Sequence, residues 1–532
     1  MIKLRITGMT CEHCAQTVKR ALEGVEGVKH AKVYFPQGYA QVEGEAQVEK
    51  LIEAVKKAGY GAEPIEDVPE VYIPKREVYD LFVLGGGSAG FASAIKASEL
   101  GAKVLVVENS VIGGTCLNRG CIPSKYFIEI ANTIKVCAKE GRVDMKRIVE
   151  IKEKLLERLR KEKYWDVLDA YPTIEYRQQK GRFIANGKAL IGDKEISFYK
   201  AVITTGSKPS IPPIENLNDV RYYTSDTIFD LDHLPEHLII VGGGAIGLEL
   251  GQAFLRLGSK VTLLEALSDI AMGEEPELRT KLRELLEREG MEILTSTKVL
   301  RVSKDGVHIL LEVEHEKNKK VIKGTDLLIA TGRTPNTKDI GLEIVGVKTD
   351  KRGFIEVNEF MQTTNGDIYS AGDCVGKFML VTVAAMEGGI AAQNALLGNK
   401  KKVDYSSVPH AIFTDPELSS VGLKEEEAKG IGYDVDVRVL DFSKVPRAVL
   451  SFREEGLIKL VAEKKSGKIL GLHILSPHGA ELIHKGVLLV KYGLTLQEVI
   501  ETVDVYPTLS EAIKLCAQSF FKDVSHLSCC AV

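Results

Sequence analysis

The chain has no long uninterrupted apolar run, no strong excess of charge and no even set of cysteines, and each lack removes a class of protein. Its most apolar stretch, residues 378–397, is broken by Glu387, Gln393 and Asn394. It is therefore expected to be a buried helix and not a membrane span. A formal net charge of −4 over 532 residues leaves no electrostatic footprint for nucleic acid or an anionic membrane surface. No N-terminal segment joins a basic start, an apolar run and a small-residue cleavage site, so no secretion signal is expected and the cytoplasm is the expected location. Nine cysteines do not make a secreted disulfide framework. Most fall in three close pairs, Cys11/Cys14, Cys116/Cys121 and Cys529/Cys530, and such pairing points to redox or metal chemistry. Cys137, Cys374 and Cys516 stand alone and are expected to be buried small apolar residues.

What is present begins with a self-contained unit over residues 1–67. Strand-like alternation over 2–7, helical periodicity over 14–22, a hairpin over 28–35 and 39–43, a helix over 48–58 and a short strand over 62–65 give a ferredoxin-like βαββαβ order. Gly8-Met9-Thr10-Cys11-Glu12-His13-Cys14 falls in the loop before the first helix, which would set both sulfurs at a helix N-terminus. There the helix dipole lowers thiol pKa, and two neighbouring thiolates suit a soft cation. This segment resembles the heavy-metal-associated domain of copper and mercury transport proteins. Pro64, Pro69 and Pro74 then mark a linker, residues 68–77.

Two dinucleotide-binding patterns follow. An apolar strand over 79–84 leads into Gly85-Gly86-Gly87-Ser88-Ala89-Gly90, a helix to residue 100, and a strand over 104–107 that ends in Glu108. The second copy runs from a strand over 238–241 through Gly242-Gly243-Gly244-Ala245-Ile246-Gly247, a helix to residue 257 and a strand over 261–264 ending in Glu265. Glu108 lies 18 residues after Gly90 and Glu265 lies 18 after Gly247. Glycines allow the tight turn, the helix N-terminus faces a pyrophosphate, and the acid accepts from ribose hydroxyls. Two complete copies in one chain predict two bound dinucleotides.

Between them lies Gly113-Gly114-Thr115-Cys116-Leu117-Asn118-Arg119-Gly120-Cys121-Ile122-Pro123-Ser124-Lys125. A helix start beside Cys121 would stabilise its thiolate. This segment resembles the redox-disulfide segment of the flavin-dependent disulfide reductases, the pyridine nucleotide-disulfide oxidoreductases. The resemblance covers roughly residues 78–532. It implies FAD at the first fingerprint, with Gly85, Gly87, Ser88, Gly90, Glu108, Gly114, Thr115 and Gly206 among its contacts and Asp373 of Ala371-Gly372-Asp373 on the ribityl chain. It implies NADPH or NADH at Gly242, Gly244, Gly247, Glu265 and Gly332, and an ion pair of Lys125 with Glu249 beside the flavin. The implied architecture is α/β: two Rossmann-like domains and an α+β dimerisation domain behind the small metal domain. The implied boundaries are 78–228 and 353–407 for the FAD domain, 229–352 for the nicotinamide domain and 408–532 for the dimerisation domain.

Two features choose among the branches of that family. Lipoamide dehydrogenase and glutathione reductase carry an acid–base histidine in an H-P-T-x-S-E context, and here Tyr506 stands at that place in Val505-Tyr506-Pro507-Thr508-Leu509-Ser510-Glu511. The chain ends Leu527-Ser528-Cys529-Cys530-Ala531-Val532, which resembles the L-S-C-C-A ending of the mercuric reductases. Adjacent cysteines make a poor structural staple but a good mobile clamp for a soft metal. By this resemblance Tyr506 matches one of two active-site tyrosines and Tyr164 the other. The implied activity is reduction of Hg(II) to volatile Hg(0). Cys11/Cys14, Cys529/Cys530 and Cys116/Cys121 bind the metal in turn, and the tail of one subunit of a homodimer reaches the redox pair of the other. A carboxylate at Glu265 favours free ribose hydroxyls, whereas mercuric reductases generally use NADPH, so NADH is expected to be at least competent. Two alternatives stand beside this reading: a lipoamide-dehydrogenase-like disulfide reductase, and a non-enzymatic soft-metal-binding protein.

Overall fold

Apolar alternation in the first sixty residues closes a small four-stranded sheet. The computed structural model describes residues 2–9, 12–35, 38–65, 72, 74–75, 78–137 and 143–524. Strands Val28–Tyr34, Tyr39–Gly44, Ile2–Thr7 and Gly61–Pro64 lie in that spatial order, all antiparallel. Helices Glu12–Glu23 and Val48–Lys57 complete the βαββαβ order. Leu4, Ile6, Val18, Leu22, Leu51 and Val55 form its core. The first helix begins earlier than the sequence suggested. Its inward face, Ala15, Val18 and Leu22, is buried, and it starts at Glu12, two residues before the expected position 14. Cys14 consequently sits inside the first turn, half-buried, and not in the preceding loop, while Cys11 lies outside the described residues.

The chain divides into two compact units, residues 1–114, 159–207 and 335–403 in one and 115–158, 208–334 and 404–532 in the other. The main body of the first unit is a parallel sheet with Ile174–Gln178, Val104–Glu108, Tyr79–Leu84, Lys194–Ile203 and Ile368–Ser370 side by side. Near-continuous apolar strands such as Tyr79–Leu84 are what a sheet covered on both faces requires. Helix Val381–Leu397, the most apolar run of the sequence, packs against Ser88–Glu99. Ser93 Oγ donates to the Gly388 carbonyl at 2.9 Å, and a Cβ on Gly388 would meet the Ala89 oxygen at 2.2 Å. Small residues let the two helices touch backbone to backbone, so this run is buried protein interior. No helix among the described residues is long and apolar enough to cross a membrane.

The second unit holds a five-stranded parallel sheet in the order Tyr223–Thr224, Asp326–Ile329, His237–Val241, Lys260–Leu264, Glu292–Leu294. It also holds an antiparallel sheet ordered His410–Ile412, Glu417–Gly422, Ile469–Ser476, Leu457–Glu463, Val435–Asp441. Cys516 is buried against the latter sheet and Cys374 is buried in the first unit, as their isolation suggested. The matching expectation for Cys137 falls on a side chain outside the described residues.

Candidate active site

In the first unit, strand Tyr79–Leu84 delivers the Gly85–Gly90 turn to helix Ser88–Glu99, whose N-cap is Gly87. Gly114 lies against this turn with φ +61°, and a Cβ there would stand 2.6 Å from the Gly87 Cα. Only glycine fits such a backbone-to-backbone approach. Glu108 closes the turn, its Oε2 accepting from the Gly86 N–H at 2.8 Å and its Oε1 from the Ser110 N–H at 2.8 Å. Across the sheet end, Ser207 Oγ donates to Asp373 Oδ2 at 2.6 Å. The buried Glu387 carboxylate accepts from the Gly372 N–H at 2.7 Å, and the Gly206 carbonyl accepts from the Asn336 N–H at 2.9 Å. A cradle without Cβ atoms, a helix N-terminus and two placed carboxylates fit a flavin adenine dinucleotide.

The redox segment continues into the second unit. Thr115 and Cys116 lie on the short helix Gly114–Asn118, and Cys121 is the first residue of the 17-residue helix Cys121–Cys137. Both cysteines are half-buried thiols. Their environments pull them apart. The Cys116 thiol donates a hydrogen bond to Cys121, which with the positive charge of Lys125 outweighs desolvation and lowers the Cys121 pKa to about 7. The same hydrogen bond, together with burial and the Cys121 charge, pushes Cys116 far up. One proton shared unevenly between two sulfurs makes Cys121 the more acidic member of the pair and Cys116 the one that keeps the proton.

Lys125, one turn along that helix, donates to Glu249 Oε2 at 2.8 Å, and the Glu249 side chain is only 7% exposed. Its other oxygen accepts from the Phe413 N–H at 2.9 Å, and the Phe413 ring lies 4.2 Å from the Lys125 ammonium. Helix Ala245–Leu257 supports this contact with two more residues. Gln252 exchanges hydrogen bonds with the Asp415 backbone at 2.7 and 2.9 Å, and Arg256 donates to Asp415 at 3.0 Å and Glu289 at 2.6 Å. Phe413, Gln252 and Arg256 were not singled out from the sequence. The only signal was the spacing of Glu249, Gln252 and Arg256 on one helix face, and nothing in the chain says what that face meets.

Tyr164 stands on a π-helical turn, Lys161–Trp165, a distortion often found at functional sites. Its hydroxyl is 3.4 Å from the Gly113 carbonyl, and its ring meets Phe91 edge-on at 4.7 Å. Gly113 precedes Cys116 by three residues, so the tyrosine touches the redox segment. Tyr506 is 46% exposed. Glu511 accepts from the Thr508 N–H at 3.1 Å, which makes it a support for the turn after Tyr506. Cys529 and Cys530 lie outside the described residues.

The second fingerprint repeats the first. Gly242, Gly244 and Gly247 lead from strand His237–Val241 into helix Ala245–Leu257, and the Gly332 carbonyl accepts from the Ser210 N–H at 2.9 Å nearby in sequence to the strand end. Glu265 Oε2 accepts from the Gly243 N–H at 2.6 Å.

Comparison with known proteins agrees with this geometry. Residues 79–388 match the pyridine nucleotide-disulphide oxidoreductase family, residues 408–517 its dimerisation domain and residues 3–61 the heavy-metal-associated domain. A mercuric reductase of Lysinibacillus sphaericus is 38% identical over 99% of both chains, and one of Shewanella putrefaciens is 37% identical over 100% of both. An HOCl-induced flavoprotein disulfide reductase of Escherichia coli has a TM-score of 0.76 at 30% identity, covering 84% of this chain and 100% of its own. With its two dinucleotide folds, its polarised thiol pair and these full-length relatives, the chain belongs to the pyridine nucleotide-disulphide oxidoreductase family, in the branch of the mercuric reductases.

Proposed function

We propose that the chain reduces Hg(II) to Hg(0), taking two electrons from NAD(P)H for each ion. The observation that carries this reading is the end-to-end match, over 99% of both chains, with a mercuric reductase. The thiol chemistry supports it. Gly85, Gly87, Ser88, Gly90, Glu108, Gly114, Thr115, Gly206 and Asp373 hold FAD, while Gly242, Gly244, Gly247, Glu265 and Gly332 hold the nicotinamide dinucleotide. Bound FAD supplies the two-electron exchange between nicotinamide and sulfur.

Cys121 meets the metal as a thiolate, held so by Cys116 and Lys125. Cys116 keeps its proton until the soft cation displaces it, so capture by the pair releases that proton to solvent. Two sulfurs then hold one ion, and two electrons convert Hg(II) to Hg(0), for which thiolate has no comparable affinity. Upstream, Cys11/Cys14 collect the ion and pass it to Cys529/Cys530, and the tail of one subunit delivers it to Cys116/Cys121 of its partner in a homodimer. Sulfur displaces sulfur at each transfer, because so tight a complex dissociates too slowly otherwise. Tyr164 and Tyr506 line this route, and Tyr506 stands where the organic-disulfide reductases of the family carry their acid–base histidine. The reaction is assigned to the cytoplasm as part of this reading, since NAD(P)H is supplied there.

The test compares three oxidants with the purified flavoprotein. Hg(II), presented with excess thiol, should support NAD(P)H oxidation at least roughly a hundredfold faster than lipoamide or glutathione disulfide, given Tyr506 in place of that histidine. Turnover of either disulfide at the mercury-dependent rate would overturn the proposal.

A further inference from the structure

The nicotinamide site carries a ribose reader whose position is fixed, and that fixity bears on which dinucleotide it accepts. Glu265 follows strand Lys260–Leu264. Its Oε2 accepts from the Gly243 N–H at 2.6 Å and its Oε1 from the Leu267 N–H at 2.8 Å. Glu108 is tied in the same way at the FAD site, Oε2 to the Gly86 N–H and Oε1 to the N–H two residues beyond it. The separation between the glycine and the glutamate is 22 residues in both. The chain has thus built one carboxylate device twice. In its first use the ligand is FAD, whose adenosine ribose bears free 2′ and 3′ hydroxyls.

The segment that follows Glu265 adds acid and no base. Ala266-Leu267-Ser268-Asp269 follows it without a basic residue and adds a second carboxylate. Two arginines of the next helix approach this segment and face its second carboxylate. Arg279 Nε is 3.2 Å from Asp269, while Arg283 is 3.7 Å from Asp269 and 2.8 Å from Glu287. A 2′-phosphate would therefore meet a carboxylate that cannot swing aside without giving up two backbone hydrogen bonds.

We propose that NADH is the preferred electron donor and that Glu265 is the residue that sets this preference. The inference rests on the reading of the chain as a pyridine-nucleotide-dependent reductase and names the donor for that same site. It is tested by binding, without mercury. NAD+ and NADP+ are titrated into the oxidised holoenzyme by calorimetry, at low and high salt, for wild type, Glu265→Gln and Glu265→Arg. The expected result is binding of NAD+ roughly tenfold or more tighter than NADP+ in the wild type. The gap should narrow as salt rises, because the repulsion is screened. Glu265→Gln should close most of it through a gain in NADP+ affinity, and Glu265→Arg should reverse it. Equal or tighter binding of NADP+ by the wild type would overturn the proposal, as would a gap that neither salt nor Glu265→Gln alters. The salt series needs no variant, so a misfolded substitution does not shield the idea. A chain that discriminates in this way but releases no mercury would sink the proposed function and leave the donor preference standing.

Discussion

Cys116 and Cys121 are the same residue five positions apart, yet their surroundings assign them different protons. The hydrogen bond from Cys116, then the Lys125 charge, hold Cys121 at about 7 against desolvation. Below that pH both sulfurs carry protons, and above it Cys121 is ionised while Cys116 is not. In the prereduced enzyme, alkylation by iodoacetamide should therefore modify Cys121 first, with a rate that rises through pH 7. Lys125→Met removes a lowering charge, so that rise should move to higher pH and the rate at pH 7 should fall several-fold. Equal alkylation of both cysteines at every pH would contradict this assignment. The identity of the pair and its place before a helix were legible in the sequence, because glycines and a helix start leave local marks. The contact of Phe413 with Lys125 and Glu249 was not, since Phe413 lies 164 residues beyond Glu249 and farther still from Lys125, and only tertiary packing joins them.

Elements hold these residues through a few backbone contacts. Helix Ala245–Leu257 begins at the second fingerprint and, seven residues on, offers Gln252 to both backbone groups of Asp415. Gln252→Ala leaves the part-buried Asp415 N–H without this acceptor, while the carbonyl keeps Arg256 at 3.3 Å, and should cost about 1–3 kcal/mol in urea unfolding. Its flavin should remain bound, because the residue touches no predicted FAD contact. Gly114→Ala acts on the opposite balance. Its Cβ would press on the Gly87 backbone at a left-handed φ, so the variant should purify with flavin occupancy reduced at least several-fold, read from its visible absorbance. Full occupancy would show that the Gly87–Gly114 contact does not shape the cradle. Period-2 and period-3.6 patterns made most of these helices and strands readable, as in the βαββαβ order of the small domain. The π-helical turn at Lys161–Trp165 left no such mark, for one irregular turn inside a helical run barely disturbs its apolar spacing.

At the scale of the molecule, separate cores permit separate roles. Among the described residues the core of the small domain comes from within 2–62, so removal of residues 1–67 should leave the rest folded, with an unchanged melting temperature for the flavin-bearing body. Mercury turnover should persist when thiol-bound metal is abundant and fall when the ion is scarce. In the second unit, several ion pairs tie the segment after the nicotinamide strand to the antiparallel sheet, Lys459 with Glu275 at 3.0 Å among them, and one of them titrates near neutrality. His410 Nε2 lies 2.7 Å from Glu274 Oε1. Burial opposes both charges, but the hydrogen bond and mutual attraction outweigh it, raising His410 and lowering Glu274. The histidine contribution is fully present below its unfolded pKa and is lost as pH rises through the raised folded value. The carboxylate contribution is present above its unfolded range and is lost as pH falls through the lowered one. Stability should therefore peak between the two, and His410→Ala should flatten the alkaline side of a plot of melting temperature against pH. An unchanged profile would remove the pair from the account.

The central claim is that paired sulfurs hand one soft ion to a two-electron donor, and a stoichiometric vapour measurement tests it most directly. Thiol-chelated Hg(II) is added to the NAD(P)H-supplied enzyme, and Hg(0) in the headspace is counted against nucleotide consumed, for wild type and for Cys529→Ala/Cys530→Ala. The account predicts one Hg(0) for each NAD(P)H, and a fall of at least roughly tenfold when the tail thiols are removed. Nucleotide oxidised without mercury vapour, or an undiminished yield from the tail variant, would contradict it.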